Sequence, residues 1–438
     1  MLRTSVPPAQ AAACVAAALI LYGAHAAYGA NQTLSALVLA AVEGLALGTL
    51  LLTRWGRSAF NRTKPLLLPA IAFALVLLVV CWSLTPLAPG GVHPAWTYAG
   101  VAGASVIDRS ISLAALATLL GAACALGAGY VLGRSDERAR LVVNLLLWLG
   151  ALYALWALIA FASGMQFKLH DTDNRLRGSF LSANSAGTLF ASLTVLAVSS
   201  ALSAARRSRR PDPLAGLAAA GIPLAIALLC AVDLILTGSR TAAATALVAV
   251  VLLFALEGLA GRLKLRTTLF AAGIGAVLVI AQGALLISRI GEKDAGHGGR
   301  DAILSTHWQA FLDSPILGYG LGSFDTVNKL HLTESTYPAL WHIRAAHNVY
   351  LQWLEEAGLV GAVAMFACIG LLLFNTIRAM GRRRRSKTLL RGLLAVNAVF
   401  LLHGWTDYAL EVPSLVALWS LLLGLQLGLS NASTSTGR

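Results

Sequence analysis

One segment of the sequence combines residues that could carry out acid–base chemistry: Arg344–Gly361, RAAHNVYLQWLEEAGLVG. Read as a helix, it has one polar face, formed by Asn348, Gln352, Glu355 and Glu356. His347 stands at the start of that helix, where the helix dipole disfavours a cationic imidazole. A neutral imidazole can accept a proton, so His347 is a candidate general base. The alternative is a polar residue that caps an interfacial helix.

The surroundings of this segment predict helices that lie along a membrane. Tyr350 and Trp353 are residue types that favour headgroup depth at a membrane interface. Upstream, a helix-like run over 301–312 ends before Pro315 and a glycine-rich stretch. The run has apolar residues for packing on the membrane surface, namely Ile303, Trp308, Phe311 and Leu312. We therefore expect ordered helices within this loop.

A second group of candidates consists of arginines that lie outside the basic clusters of the chain: Arg175, Arg177, Arg240, Arg300 and Arg344. The guanidinium group is suited to bidentate contact with phosphate. Such a cluster at membrane depth would suit a lipid-linked diphosphate. The alternative for each arginine is loop solvation and contact with lipid headgroups.

The stretch Asp171-Thr172-Asp173 has the spacing with which nucleotide-sugar transferases hold a divalent metal. This pattern alone is weak evidence, and Arg175 and Arg177 follow it directly. Surface ion pairs are therefore the better interpretation of these aspartates.

Acidic residues inside apolar runs are costly in a bilayer and default to a functional hypothesis. Asp233 precedes Arg240 by two helical turns, so an ion pair is plausible if the helix continues to Arg240. Glu43 has no evident partner, whereas Asp407 and Glu411 could face the same cavity. Structural pairing is the simpler interpretation for each of these acids.

The composition indicates a polytopic membrane protein with an all-α fold. The chain has 438 residues, of which 58% are hydrophobic and only 12% charged, against about 25% charged in soluble domains. The net charge of +14 sits in short clusters between apolar runs, which argues against nucleic acid as a partner. All five cysteines lie inside apolar runs, so they form neither a disulfide framework nor a metal pattern.

We predict about twelve transmembrane helices in a single membrane domain over 1–438. The predicted spans are 11–30, 34–53, 66–84, 111–133, 141–163, 179–202, 214–235, 241–259, 268–288, 358–378, 391–410 and 414–430. A large periplasmic loop over 289–357 would end in the interfacial amphipathic helix. The first span resembles a signal peptide, but we expect it to be retained.

Lysine and arginine determine the predicted orientation. Most of the basic residues fall in alternate loops, with an arginine-rich cluster over 378–391 as the largest. The positive-inside rule then assigns both termini to the cytoplasm and the 289–357 loop to the opposite side. His347 and the candidate arginines share that outer side.

Several motifs together resemble the O-antigen ligase and polymerase superfamily of bacterial membrane glycosyltransferases. The main one is His347-Asn348 followed by Tyr350-Leu351 and then Glu356-x-Gly358-x-x-Gly361. Three other stretches are similar to that family: GSFLSANSAG at 178–187, LTGSRTA at 236–242, and GGRDAILSTHWQAFLDSPILGYGLGSF at 298–324. They follow one another in the expected order.

The resemblance implies transfer of a glycan from undecaprenyl diphosphate to an acceptor hydroxyl, with inversion at the anomeric carbon. It implies the periplasmic face of the bacterial inner membrane as the location and no metal or nucleotide. His347, Arg240 and Arg300 would be the catalytic residues. Substrate-binding residues would be Arg344, Asn348, Arg177 and Arg175.

The sequence leaves the acceptor open. Ligation of O-antigen to lipid A core is our first expectation, and the alternative is an O-antigen or exopolysaccharide polymerase with the growing chain as acceptor. A closing stretch at 403–413, HGWTDYALEVP, is similar to exopolysaccharide polymerases. Protein glycosylation is a third option. A small-solute transporter is the alternative from another class, although it predicts midplane sites and repeated halves that the sequence does not show.

Overall fold

The computed structural model describes residues 6–60, 64–166, 174–207, 213–258, 296–383 and 385–432. The first half of the chain contains α1 (Pro8–Ala26), α2 (Thr33–Leu52), α3 (Arg54–Phe60), α4 (Lys64–Ser83), α5 (Pro94–Tyr98), α6 (Arg109–Gly133), α7 (Asp136–Ala162) and α8 (Ala183–Arg207). The second half contains α9 (Pro213–Leu236), α10 (Arg240–Gly258), α11 (Gly296–Asp313), α12 (Phe324–Leu330), α13 (Tyr337–Leu340), α14 (Val349–Met380), α15 (Lys387–His403) and α16 (Pro413–Ser430).

The predicted all-α membrane fold is confirmed. Within the described ranges, 10 helices are long and apolar enough to cross a bilayer: α1, α2, α4, α6, α7, α8, α9, α10, α14 and α16. The predicted span 268–288 lies outside the described residues. The predicted span 391–410 corresponds to α15, which ends at His403 after 17 residues. It ends early because the chain turns at Gly404 and carries Asp407 back into the protein.

The centre of the bundle is α16, which is buried along nearly its whole length. It packs on α6 through glycines on both helices. A Cβ atom at Gly424 would overlap the Leu126 carbonyl, and one at Gly129 would overlap the Leu421 carbonyl. Small residues allow such close backbone contact, which is the usual basis of helix association in membranes.

The basic loops meet at one end of the bundle. Arg383 donates to Asp136 at 2.7 Å and to the Ala432 carbonyl at 2.7 Å. At the same end, Arg140 donates to Ser386 at 2.8 Å, and Arg206 to Thr388 at 2.8 Å. The loops that carry His347, Arg175 and Asp407 therefore lie at the opposite end of the helices.

The segment from α11 to the start of α14 contains three helices among its described residues, and the predicted run at 301–312 forms most of α11. The structure turns the polar face of α14 toward this segment. Glu355 accepts from or donates to His307 of α11 at 2.6 Å, and both side chains are fully buried. Glu356 accepts the backbone N–H of Gly322 at 2.8 Å. The polar face thus anchors α11 and α12 to the membrane helix.

Candidate active site

The position of His347 is set by the start of α14. Asn348 is the N-cap residue, and its side chain accepts from the backbone N–H groups of Tyr350 and Leu351 at 3.1 Å. The Val349 N–H donates to the Gly404 carbonyl at 2.8 Å, which ties this turn to the end of α15. His347 itself has a left-handed backbone, with φ of 51°. Such conformations in residues other than glycine concentrate at functional sites.

Asp407 faces the His347 ring from the loop after α15. Its Oδ2 atom lies 3.9 Å from His347 Nδ1, and the aspartate is fully buried whereas the histidine side chain is 28% exposed. Asn184 of α8 donates to the same Oδ2 at 2.6 Å. The Tyr408 ring packs edge-on against His347, with 4.9 Å between ring centroids. The imidazole is thus held on two sides and open on others.

Asp407 is an anion in this environment. Burial raises the pKa of its carboxyl, but His347, His403 and the hydrogen bond from Asn184 outweigh that effect, so the pKa lies below its usual range. No hydrogen-bond partner of His347 Nδ1 occurs in the described part of the chain. A small movement of the ring would therefore complete a carboxylate–imidazole hydrogen bond, which fixes the tautomer and stabilises an imidazolium.

The arginines at 175 and 177 lie beside this pair. Arg175 donates to Asn184 Oδ1 at 2.7 Å and to the Thr237 carbonyl at 2.7 Å. Asn184 therefore bridges Arg175 and Asp407. Burial raises the pKa of Tyr408, and the charges of Arg177 and Arg175 are close enough to oppose that rise. Cations and the candidate base accordingly occupy one site.

His403 connects the start of α10 to the same site. Its ring is within 2.7 Å of the Thr188 hydroxyl of α8 and 3.0 Å of the Thr241 hydroxyl of α10. Arg240, the first residue of α10, is exposed and has no hydrogen bond or ion pair among the described residues. A helix N-terminus with an adjacent arginine is suited to an anion.

For the other two predicted arginines, Arg344 and Arg300, the structure gives no side-chain contact within the described residues. Arg344 is exposed in the turn before His347. Arg300 lies in the first turns of α11, and its side chain is outside the described part of the structure. The Asp171-Thr172-Asp173 stretch also lies outside the described residues. The structure thus brings together Arg175, Arg177, His347 and Asn348, with Arg240 on a helix joined to them through His403.

The ion pair between Asp233 and Arg240 required one continuous helix through both residues, and that expectation is wrong. Helix α9 ends at Leu236, and Gly238 has φ of 62°, so the helix does not continue to Arg240. Both carboxylate oxygens of buried Asp233 lack a partner in the described ranges. Glu43 is also buried, and faces Gly121 of α6.

An apolar cavity of about 520 Å³ opens beside the site. Val349 and Tyr350 line one end, directly after His347, and Phe60 and Leu66 line the other. Most of its remaining lining comes from α4, α6, α14 and α16, and Leu47 of α2, Leu401 of α15 and Leu410 complete it. Tyr350 and Trp353, predicted at headgroup depth, line this cavity. A cavity with this apolar lining suits a hydrocarbon chain.

Residues 225–366 match the model of the family described as O-Antigen ligase. The matched segment is about a third of the chain and supports the resemblance to the O-antigen ligase-like superfamily. This similarity indicates a membrane glycosyltransferase of ligase or polymerase type. The matched segment runs from within α9 to within α14, and so contains Arg240, Arg300, Arg344, His347 and Asn348. No curated protein matches the chain.

Several residues of the site lie outside the matched segment and carried little signal in the sequence. Asn184 and Thr188 belong to the GSFLSANSAG stretch or follow it, and His403, Asp407 and Tyr408 belong to HGWTDYALEVP. The similarity of both stretches to members of the superfamily was the signal in the sequence that pointed to them. Their roles as partners of Arg175 and His347 depend on contacts between distant parts of the chain.

Proposed function

We propose that this protein transfers a glycan from undecaprenyl diphosphate to an acceptor hydroxyl at the periplasmic face of the bacterial inner membrane. The favoured acceptor is a sugar of the lipid A core, which makes the reaction O-antigen ligation. The observation that carries this proposal is the pairing of half-open His347 with buried, ionised Asp407 beside the arginines. The basic loops at the other end of the bundle support the outward orientation.

The proposed reaction is a single displacement at the anomeric carbon. His347 takes the proton of the acceptor hydroxyl as its oxygen bonds to that carbon from the face opposite the diphosphate. The bond from the anomeric carbon to the diphosphate oxygen breaks, and undecaprenyl diphosphate leaves with the electron pair. Arg240, with Arg175 and Arg177, stabilises the charge on the leaving group. Arg300 and Arg344 remain proposed phosphate-binding residues, and Asn348 a proposed substrate contact.

The apolar cavity supports a lipid-linked donor. Val349 and Tyr350, which follow His347, line one end of the cavity. A prenyl chain in the cavity would therefore present its diphosphate at the site. Burial of the chain would contribute about 0.8 kcal/mol per methylene group. The reacting sugar would then be held where the base and the arginines meet.

The test is a surface-polysaccharide gel from a host that lacks the gene, complemented with wild type, His347→Ala or the control His331→Ala. We expect wild type and His331→Ala to restore lipopolysaccharide with long chains. His347→Ala should leave bare core, with long chains on undecaprenyl diphosphate, because a general base contributes about 10²- to 10⁴-fold in rate. Membrane insertion of each variant is checked by immunoblot.

Other outcomes select other functions. A single repeat unit on core would indicate an O-antigen polymerase, and loss of only a secreted polymer an exopolysaccharide polymerase. An unchanged gel for all strains would exclude lipopolysaccharide as the product. Protein glycosylation and solute transport would then be tested by glycoprotein staining and by uptake.

A further inference from the structure

Two aromatic side chains lie exposed at the two ends of α13, shortly before His347: Tyr337 is its first residue and Trp341 follows its last. Tyr337 and Trp341 are each 55% exposed. Their rings are parallel within 15°, with 6.3 Å between centroids. Neighbouring exposed rings form an apolar patch, and an apolar patch rimmed by polar residues marks a site of interaction.

The protein core fixes the position of this pair. Leu340, between the two rings in sequence, is fully buried. Asn328 donates to the Leu340 carbonyl at 2.7 Å and to the Ile343 carbonyl at 3.0 Å. The buried Asn328 side chain is also within 3.3 Å of His307 Nε2. The rings therefore cannot fold inward, and a ligand would meet a surface that is already ordered.

The lipid bilayer accounts for a different exposed surface. On α11, Leu304, Trp308 and Leu312 form an apolar strip at helical spacing. The strip continues through Ile316, whose carbonyl accepts the N–H of Val360 in the membrane helix α14. This surface is continuous with the side of α14 that faces lipid.

The surroundings of the α13 pair are polar instead. The preceding turn is built from hydroxyl groups, with Thr333 and Thr336 hydrogen-bonded to each other at 2.9 Å. Glu334 and Ser335 are exposed in the same turn. Aromatic rings in such a polar setting suit a ligand that is itself polar but has apolar C–H faces, which is the character of a pyranose ring.

We propose that Tyr337 and Trp341 form a binding surface for the glycan chain of the substrate, away from the reacting sugar. This proposal rests on the proposed function for the nature of the polymer. Five residues lie between Trp341 and His347, so the two Cα atoms are at most about 22 Å apart. The surface is therefore within a few sugar units of the site. It holds long glycans in place and adds little for a single short unit.

The first experiment measures binding without transfer. The probe is the polysaccharide released by mild acid from the native host's lipopolysaccharide, titrated into the full-length protein in nanodiscs by calorimetry. We expect saturable binding to wild type, and about fivefold or greater weakening in Tyr337→Ala and Trp341→Ala, the loss of about 1 kcal/mol of ring contact. The control Trp308→Ala, on the α11 strip, should bind as wild type does. Absence of binding to wild type, or equal weakening in all three variants, would overturn the proposal.

The second experiment reads chain length in cells. On the gel described above, Trp341→Ala should reduce long-chain product severalfold and leave transfer of single repeat units unchanged. An equal loss of product at all glycan chain lengths would contradict a role away from the reacting sugar. If His347→Ala leaves the gel unchanged, the proposed function fails, and the binding measurement still decides whether the α13 surface takes glycan.

Discussion

At the scale of the residue, the site depends on a histidine held between a carboxylate and an aromatic ring. His347 has a left-handed backbone that costs about 1–3 kcal/mol in residues other than glycine, and the cap at Asn348 and the bond from Val349 to Gly404 hold it there. The Asp407 carboxylate is placed to orient the ring and to stabilise a positive charge on it. Asn184 couples that carboxylate to Arg175, so the proposed base and a proposed phosphate-binding residue share one hydrogen-bond network.

We expect Asp407→Asn to reduce the transfer rate by about 10- to 100-fold, within the range that general-base catalysis contributes. The amide retains the size of the side chain and an oxygen for the bond from Asn184, but it removes the negative charge beside His347. The measurement is transfer by purified enzyme in detergent, with the thermal midpoint recorded for each variant. The control Asp325→Asn disrupts an exposed ion pair with Lys329, worth less than about 1 kcal/mol. A full rate in Asp407→Asn would remove the carboxylate from the mechanism.

The candidate base could be predicted from the sequence because its motif is local. His347, Asn348 and Gly358 lie within one helical segment, and their spacing together with the resemblance of this motif to the superfamily suggested the chemistry. The partner of His347 could not be predicted in this way, because Asp407 reaches it only after α15 ends early and the chain turns at Gly404. The periodicity of a sequence predicts which residues share a helix face, but it does not predict a contact between residues that are distant in the chain. The same limit made the ion pair between Asp233 and Arg240 a wrong expectation.

At the scale of the element, α14 combines two roles that are separated by a kink at Gly358. Its first turns anchor α11 and α12 through Glu355 and Glu356, and the remainder crosses the bundle. Gly358 has φ of 62° and ψ of −176°, and a Cβ atom there would overlap the Ile316 carbonyl. The kink therefore joins the site to the membrane helix at a fixed angle.

Gly358→Ala should lower the free energy of unfolding by about 1–3 kcal/mol from backbone strain alone, and by more through the overlap with Ile316. The matched control is Gly370→Ala in the same helix, where nothing lies within 4 Å of the added atom. That control should leave stability unchanged or raise it by up to about 1 kcal/mol through helix propensity. Thermal midpoints in one detergent, at one scan rate, compare the two variants. Equal midpoints would show that the kink is dispensable.

The amphipathic pattern of α14 predicted which residues share a face but not what covers that face. Gln352, Glu355 and Glu356 were expected at a membrane interface, and in the structure they are buried against the preceding segment. The same holds for α11, where Ile303 and Phe311 point inward and Trp308 and Leu312 outward. A helical period of apolar residues does not distinguish protein from lipid as the apolar partner.

At the scale of the whole molecule, the bundle has a basic end and a site end, and the apolar cavity runs between them. The basic end gathers Arg140, Arg206 and Arg383 into ion pairs and hydrogen bonds. The site end gathers His347, Asp407 and Arg175. This separation is what composition and loop charge predicted, because lysine and arginine mark one side of a membrane protein. The cavity itself was not predictable, since it arises from the packing of helices that are distant in sequence.

A side chain that fills the cavity should weaken binding of the prenyl tail and leave the chemistry intact. Ala123 lines the cavity on α6, so Ala123→Phe would displace about two methylene groups of a bound chain, a loss of about 1.6 kcal/mol. That loss corresponds to a rise of about tenfold in KM for an undecaprenyl donor, with kcat unchanged. A donor with a short prenyl chain, which does not reach Ala123, should show little change. Leu120→Phe, on the exposed side of the same helix, adds an aromatic ring toward lipid and serves as the control. If Ala123→Phe raises KM equally for both donors, the cavity holds something other than the donor tail. The lipid of the acceptor then becomes the next occupant to test.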